Sequence, residues 1–185
     1  VDFNHDERQD IIEVNGFDGF NYVGEQAYLW VQAPNGTFVE VSANAFFNYG
    51  SDGRGVALFD YDNDVDMDFI IANHDEPATL WRNDMLDPID ETDSEGYALR
   101  IFLDTTNDPG LAPMGIGSRV IVQTATATQH FYHGAKNTMG SQSELSTFAG
   151  LGDNATANVT VEWTDGTTTV VSNVAADQTI TIAAP

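Results

Sequence analysis

Oxygen-bearing side chains recur at alternate positions in two stretches of this sequence, and both stretches have the same spacing. Each stretch has an acid at position 1, an acid or Asn at position 3, an acid at position 5 and an Asp at position 9. Side-chain oxygens at these four positions, with a backbone carbonyl at position 7, can wrap one cation. The predicted ligands are Asp2, Asn4, Asp6, Asp10 and the carbonyl of Arg8 in loop 1 (Asp2–Asp10), and Asp60, Asp62, Asp64, Asp68 and the carbonyl of Asp66 in loop 2 (Asp60–Asp68).

Calcium is the cation that this donor set predicts. It is a hard ion that takes six to eight oxygens in flexible geometry, whereas magnesium demands a rigid octahedron and keeps several of its waters. A transition metal would prefer His or Cys ligands, which the two loops do not supply in this pattern. We therefore expect calcium as the bound cofactor.

Loop 2 also gives an electrostatic reason to expect a bound cation. Its five aspartates occupy every second position from Asp60 to Asp68. On an extended strand they would share one face at a spacing of about 7 Å and repel one another without a counterion. The alternative is a solvated acidic turn that holds no ion.

Both loops lack the glycine that usually occupies position 6, where the sharp turn needs a positive φ. The residues at that position are Glu7 and Val65. A β-branched residue such as Val65 is strained there by roughly 1–2 kcal/mol. Calcium affinity should therefore be weak, in a range suited to calcium-rich seawater or extracellular fluid.

The composition is strongly acidic. The chain has 185 residues, with 29 Asp and Glu against six Lys and Arg, and its formal net charge is −23. Nucleic acid and an anionic membrane surface are excluded as partners, because phosphate groups are bound by clustered Lys and Arg. The acids either hold divalent cations or adapt the surface to high salt, and the two explanations are compatible.

The elements that would position the loops are short strands. The chain has no cysteine, so disulfides and thiolate metal sites are not expected. It has no apolar run of membrane-spanning length, so we expect no membrane insertion. Runs rich in Val, Ile, Phe and Thr alternate with Gly, Asn, Asp and Pro, which predicts an all-β fold. Asn35-Gly36 and Asp165-Gly166 should form hairpin turns. The predicted strands are Ile11–Val14, Ala27–Gln32, Thr37–Val41, Val56–Phe59, Phe69–Ala72, Thr79–Arg82, Ala98–Leu103, Arg119–Thr124, Gln129–Tyr132, Asn158–Trp163, Thr168–Val171 and Thr179–Ile182.

Two domains are predicted, over residues 1–95 and 96–185. The sequence of loop 1 and its following strand repeats in loop 2, so Asp2–Asn15 aligns with Asp60–Asn73. The acidic stretch Asp84–Gly96 is predicted to be a linker. Beyond it the composition shifts towards Thr, Val, Ala and Gly.

The first domain resembles FG-GAP/VCBS-type repeats, the calcium-loop blades of integrin-like β-propellers. The resemblance rests on the phrases Asp2–Asn15, Asn35–Ser42, Gly53–Asn73 and Leu80-Trp-Arg-Asn83. It implies partial β-propeller-like blades with Asp-rich calcium loops.

The second domain is similar to the ASPIC/UnbV domain that follows such repeats in cartilage-acidic-protein-like proteins, and a C-terminal β-sandwich-like domain is expected. The matching phrases are Gly115-Ile-Gly-Ser-Arg-Val120, Gly140-Ser-Gln-Ser143, Phe148–Gly152, Val161-Glu-Trp-Thr-Asp-Gly166 and Asn173–Ile182.

These resemblances imply a calcium-stabilised extracellular or cell-surface module with a structural or adhesion role. The first domain has too few strands to close a propeller, so a bare strand edge is expected to recruit partners by strand addition. We therefore expect self-association, for instance into a surface layer or filament, or contact with other surface proteins. The alternative is a carbohydrate-binding module, in which exposed aromatic rings stack on a glycan.

Catalysis is not expected. His130 and His133 are three residues apart and would point to opposite faces of a strand, so they form no ready metal pair. Ser141-Gln-Ser143 lacks the Gly-x-Ser-x-Gly pattern of a nucleophile elbow and should instead form a turn or backbone hydrogen bonds.

Overall fold

The computed structural model describes residues 1–16, 26–43, 50, 52–84, 96–134, 137–138 and 140–185. The chain forms two compact units, and neither is a single continuous segment. Unit 1 contains Val1–Asn4, Arg8–Glu95 and Asn137–Ser143, and unit 2 contains His5–Glu7, Gly96–Lys136 and Glu144–Pro185. The predicted linker Asp84–Gly96 lies outside the described residues except for its first and last positions.

The predicted all-β class is confirmed for the described part of the chain. Its regular elements are strands and one short 3₁₀ turn at Pro113–Gly115, and the strands form several small sheets without a closed barrel. In chain order the strands are β1 (Ile11–Glu13), β2 (Tyr28–Gln32), β3 (Phe38–Glu40), β4 (Gly53–Phe59), β5 (Asp68–Asn73), β6 (Thr79–Trp81), β7 (Tyr97–Asp104), β8 (Arg119–Gln123), β9 (Thr128–Tyr132), β10 (Asn137–Thr138), β11 (Ser141–Gln142), β12 (Thr147–Gly152), β13 (Thr156–Glu162), β14 (Thr168–Ala175) and β15 (Gln178–Ala183).

Unit 1 contains two antiparallel three-stranded sheets, of order β1-β2-β3 and β4-β5-β6. The two sheets share one arrangement. In the first, β1 follows loop 1 and pairs antiparallel with β2; in the second, β5 follows loop 2 and pairs antiparallel with β6. The predicted Asn35-Gly36 hairpin joins β2 to β3, and Gly36 adopts the required positive φ of 81°.

The core of unit 1 includes one residue of loop 1 and the residue that follows loop 2. Phe3, the second residue of loop 1, packs edge-on against Phe69 with ring centroids 5.8 Å apart, and Phe69 stacks on Trp81. Burying each large apolar side chain contributes about 1.5–3 kcal/mol. The loops are therefore held by a common apolar cluster, whose buried members are Phe3, Ala27, Leu29, Val31, Val41, Val56, Phe69 and Ile71.

The expected backbone role of Ser141-Gln-Ser143 is confirmed. This segment lies in unit 1, where the Ser141 hydroxyl donates to the Val56 carbonyl at 2.6 Å. The Leu58 N–H donates to the Ser143 hydroxyl oxygen at 3.1 Å. The two serines therefore bond to the backbone of β4.

Unit 2 is a β-sandwich of a three-stranded sheet, β12-β7-β15, and a four-stranded sheet, β14-β13-β8-β9. Along β13 the side chains alternate, so Ala157, Val159 and Val161 are buried while Asn158 and Glu162 face solvent. The two sheets share one core, whose largest members include Leu99, Ile101, Val120, Val122, Leu151 and Trp163. The Asp165-Gly166 hairpin between β13 and β14 forms as predicted.

Candidate metal centre

Loop 2 brings three of its aspartates together. One carboxylate oxygen from each of Asp60, Asp62 and Asp68 can be chosen so that all three lie within 4.8 Å of one another. Asp60 and Asp68 are buried and Asp62 is exposed. Within the described part of the chain, this trio is the group of acidic or histidine side chains with the spacing of a metal site.

Backbone N–H groups hold the two buried carboxylates in place. Asp60 accepts from the N–H of Asn63 at 2.7 Å and of Val65 at 3.2 Å. Asp68 accepts from the N–H of Tyr61 at 3.0 Å and of Asn83 at 2.8 Å. Each carboxylate oxygen has more than one lone pair, so these bonds orient the carboxylates and leave acceptor capacity for a cation.

The aspartates of loop 2 are electrostatically costly without a cation. Burial raises the pKa of Asp68 above its usual range, although two backbone N–H groups act in the opposite direction. Burial, followed by the negative charges of the neighbouring aspartates, raises the pKa of Asp66 to about 7. A divalent cation would relieve the repulsion, and all the donors are oxygens, so the residues present fit calcium.

The remaining predicted ligands of loop 2 lie outside the trio. Asp64 is exposed, and its Oδ1 accepts the N–H of Asp66 at 3.0 Å. The Asp66 side chain is half-buried. Arg82 pairs with the Asp84 carboxylate, and its Nη1 also lies 3.8 Å from an Asp62 carboxylate oxygen. Such an exposed pair contributes little, so it does not replace a bound ion.

The backbone of both loops adopts the turns that calcium loops need. At position 6, Glu7 has φ 69° and Val65 has φ 74°, the left-handed values that the sequence position predicts. At position 4, His5 has φ 57° and Asn63 has φ 64°. Both loops therefore make the same pair of left-handed turns without a glycine.

Loop 1 repeats the closure of loop 2 at its last position. Asp10 accepts from the N–H of Phe3 at 2.8 Å and of Gln32 at 2.9 Å, as Asp68 accepts from Tyr61 and Asn83. Gln32 is the last residue of β2, which pairs with β1, the strand after loop 1. Asn83 follows β6, which pairs with β5, the strand after loop 2. Among the other predicted ligands, Asp2 and Asn4 are buried and Asp6 is half-buried. The Arg8 guanidinium donates through Nε to the Gln32 carbonyl at 2.6 Å.

Glu7 has a role that sequence reasoning missed. Its carboxylate accepts from the hydroxyls of Thr124 and Thr126, and from Asn154 Nδ2 at 3.4 Å, all within unit 2. The neighbouring His5 carbonyl accepts the Gly152 N–H at 2.7 Å. A long polar residue at a position that usually carries glycine was the signal in the sequence.

The histidines form no metal pair in the described structure. His130 is exposed on β9 and contacts Arg119, whereas His133 is buried with Nδ1 2.9 Å from the Thr147 hydroxyl. In unit 1, His74 Nδ1 lies 3.3 Å from the buried Asp52 carboxylate, which also pairs with Arg54. These are structural ion pairs and hydrogen bonds.

Two family models match this chain. One, described as an FG-GAP-like repeat, matches residues 2–71 and includes both loops. The other, described as ASPIC and UnbV, matches residues 109–185. No curated protein matches the chain. Among the described residues, no helix has the length and apolar character needed to cross a membrane.

Proposed function

The chain combines an FG-GAP-like repeat with an ASPIC and UnbV domain, and from this premise we propose that it is a calcium-stabilised structural or adhesion module. FG-GAP repeats typically bind calcium and are typically extracellular, and both domain types are generally non-catalytic modules. The proposed place of action is the extracellular space or the cell surface.

The acidic trio of loop 2 carries this proposal. Asp60 and Asp68 are buried, oriented by backbone N–H groups and brought within 4.8 Å of the Asp62 carboxylate. Burying like charges together is unfavourable unless a cation offsets them. The proposed ligands are Asp60, Asp62, Asp64 and Asp68 with the Asp66 carbonyl, and by repetition Asp2, Asn4, Asp6 and Asp10 with the Arg8 carbonyl.

Calcium would act on stability and not on chemistry. A ligand that binds the folded state alone stabilises it by RT ln(1 + [L]/Kd), which is about 2.7 kcal/mol at one hundred times Kd. The left-handed turn at Val65 costs roughly 1–2 kcal/mol, so an ion bound at extracellular calcium concentrations would offset that strain. The loop would then be rigid only where calcium is plentiful.

Self-association through strand edges would supply the structural role. β3 ends the β1-β2-β3 sheet, and all three of its residues are exposed, with Phe38 at 42% and Val39 at 40%. An exposed apolar edge strand is a template for pairing with another chain. Two calcium ions would leave most of the −23 charge in place, so association would need a salty medium or a cationic partner.

Thermal unfolding in calcium, in magnesium and in chelator, at fixed ionic strength, tests the calcium proposal. We expect calcium to raise the melting temperature in a concentration-dependent way, with a much smaller effect of magnesium. Monovalent salt is the control, because it screens surface charge without filling a site. If high salt restores all of the stability that calcium provides, the acids are a halophilic surface and the calcium proposal is wrong.

Sedimentation velocity in calcium tests the association proposal separately. We expect a sedimentation coefficient that rises with protein concentration, and a smaller rise for Val39→Lys, which places a charge on the exposed edge strand. A single monomeric species at all concentrations would contradict self-association and leave the calcium proposal intact.

A further inference from the structure

Unit 2 carries a surface cavity of about 450 Å³ beside the end of β8 and the start of β13. Most of the polar side chains that line the cavity carry an amide or a hydroxyl group. The amides are Gln123, Asn154, Asn158 and Asn173, and the hydroxyls belong to Thr124 and Thr156. Asp153 is the one ionisable side chain in this lining, which has no basic and no aromatic residue.

A β-bulge shapes one wall of the cavity. Ala157 pairs with Val174 and Val159 pairs with Val171, so Ser172 and Asn173 on β14 oppose the single residue Asn158 on β13. Asn173 adopts a left-handed φ of 53°, a conformation that Asn tolerates better than most residues. Bulges of this kind re-aim side chains and are over-represented beside functional sites.

The bulge fixes one amide and leaves others available. The Asn173 N–H donates to Asn158 Oδ1 at 2.9 Å, which orients the Asn158 amide and keeps its Nδ2 as a donor. Within the described part of the chain, the side chains of Gln123, Asn173 and Thr156 make no hydrogen bond to protein. A cluster of oriented and available amides on a rigid sheet is an arrangement that can recognise a ligand.

Two other lining residues, Asn154 and Thr124, are held by their own hydrogen bonds. Asn154 Nδ2 donates to the Leu151 carbonyl at 2.7 Å and to the Thr126 hydroxyl at 2.6 Å. The Thr124 hydroxyl donates to the Glu7 carboxylate. These two residues therefore keep their positions before any ligand arrives, which lowers the entropic cost of binding.

We propose that this cavity binds a neutral sugar, as a free saccharide or as a residue of a glycan chain. Amides and hydroxyls each donate and accept hydrogen bonds, which matches the hydroxyl groups of a sugar. The volume lies within the range of about 300–1,000 Å³ that small-ligand sites occupy. The absence of Lys and Arg in the lining and the net charge of −23 disfavour anionic ligands such as uronates and phosphates.

Binding of neutral oligosaccharides to the full chain, kept in calcium, tests this proposal. The probes are oligosaccharides of glucose, mannose, galactose and N-acetylglucosamine, screened by saturation-transfer NMR and titrated by calorimetry. Asn173→Gly removes the amide while Gly accepts the left-handed backbone, and Gln123→Ala removes a second amide. We expect each to weaken binding by about three- to tenfold, the effect of losing one neutral hydrogen bond.

Thr168→Ala, on the same strand β14 but outside the cavity, is the matched control and should bind as the parent protein does. Melting temperatures of all variants report whether the fold is intact. The proposal is overturned if no neutral sugar binds, if both amide variants bind as tightly as the parent, or if only an acidic oligosaccharide or a peptide binds. The proposal does not require calcium in either loop, so its failure would leave the calcium proposal standing.

Discussion

Loop 1 and loop 2 place different side chains on the same backbone. Both have left-handed residues at positions 4 and 6, and in both the last Asp closes the loop by accepting two backbone N–H groups. At position 7, loop 1 carries Arg8 and loop 2 carries Asp66, whose pKa is raised to about 7. At position 6, loop 1 carries Glu7, which bonds within unit 2, and loop 2 carries Val65.

The two loops therefore share a backbone conformation but differ in the charge and the partners of their side chains. Loop 1 carries one Arg among its acids, and its Glu7 carboxylate accepts from two hydroxyls and one amide. Loop 2 collects five aspartates, of which three lie within metal-binding distance of one another. We therefore expect loop 2 to depend on calcium more strongly than loop 1.

The largest effect should come from removing the closing aspartates. Asp68→Ala and Asp10→Ala each leave two backbone N–H donors without their acceptor, at about 1–3 kcal/mol for each buried donor. In chelator we expect the two variants to lower the free energy of unfolding by similar amounts. In calcium, Asp68→Ala should lower the free energy of unfolding by more than Asp10→Ala does, because it removes a proposed ligand from the loop that we expect to depend more strongly on calcium.

Urea unfolding of both variants, with calcium and with chelator, measures this difference. Asp68→Asn is the control, because it keeps an acceptor oxygen while removing the charge. An equal cost of Asp68→Ala in calcium and in chelator would show that this carboxylate only closes the loop and does not bind the ion.

The next effect separates the two residues at position 6. Glu7→Gly also relieves left-handed strain, but it removes the charged acceptor of Thr124, Thr126 and Asn154, whose hydrogen bonds outweigh that relief, so we expect it to destabilise the protein by about 1–2 kcal/mol. Val65→Gly relieves roughly 1–2 kcal/mol of backbone strain against an unfolded-state cost of about 0.4–1 kcal/mol. It should therefore stabilise the protein by up to about 1.6 kcal/mol.

Chemical denaturation of the two glycine variants in chelator checks the opposite signs. Glu7→Gln is the matched control, because it keeps the side-chain length and one acceptor oxygen. Stabilisation by both glycine variants would mean that Glu7 is merely a strained substitute for glycine.

The strands and the repeat could be predicted because their signals are local. Alternation of apolar and polar residues predicts β13, the run of Thr and Val predicts the first half of β14, and Asp-Gly predicts the turn between them. The missed strand β12 contains Ala149, Gly150 and Gly152, which have low strand propensity, yet it is buried against β7. Tertiary packing overrides propensity there.

Features that depend on distant residues could not be read from the sequence. The parallel pairing of β15 with β7 joins residues about 80 positions apart, and no local pattern specifies it. The same holds for the closure of loop 2 by Asn83 and for the Glu7 bonds to Thr124 and Thr126. The ligand spacing of the loops was visible, whereas the second N–H donor to each closing Asp, from Gln32 or Asn83, comes from outside the loop.

The smallest effect concerns Asp66, which is proposed to bind calcium through its carbonyl and not through its carboxylate. Asp66→Asn keeps the carbonyl and removes one of five negative charges. In chelator, at a pH above the raised Asp66 pKa of about 7, it should stabilise the protein by a few tenths of a kcal/mol up to about 1 kcal/mol, because a half-buried like charge is lost. Calcium affinity, measured by calorimetry, should fall by less than about tenfold, whereas Asp60→Asn should reduce it more. If Asp66→Asn weakens calcium binding as much as Asp60→Asn does, the Asp66 carboxylate is itself a ligand, and loop 2 differs from loop 1 at position 7 in how it holds the ion.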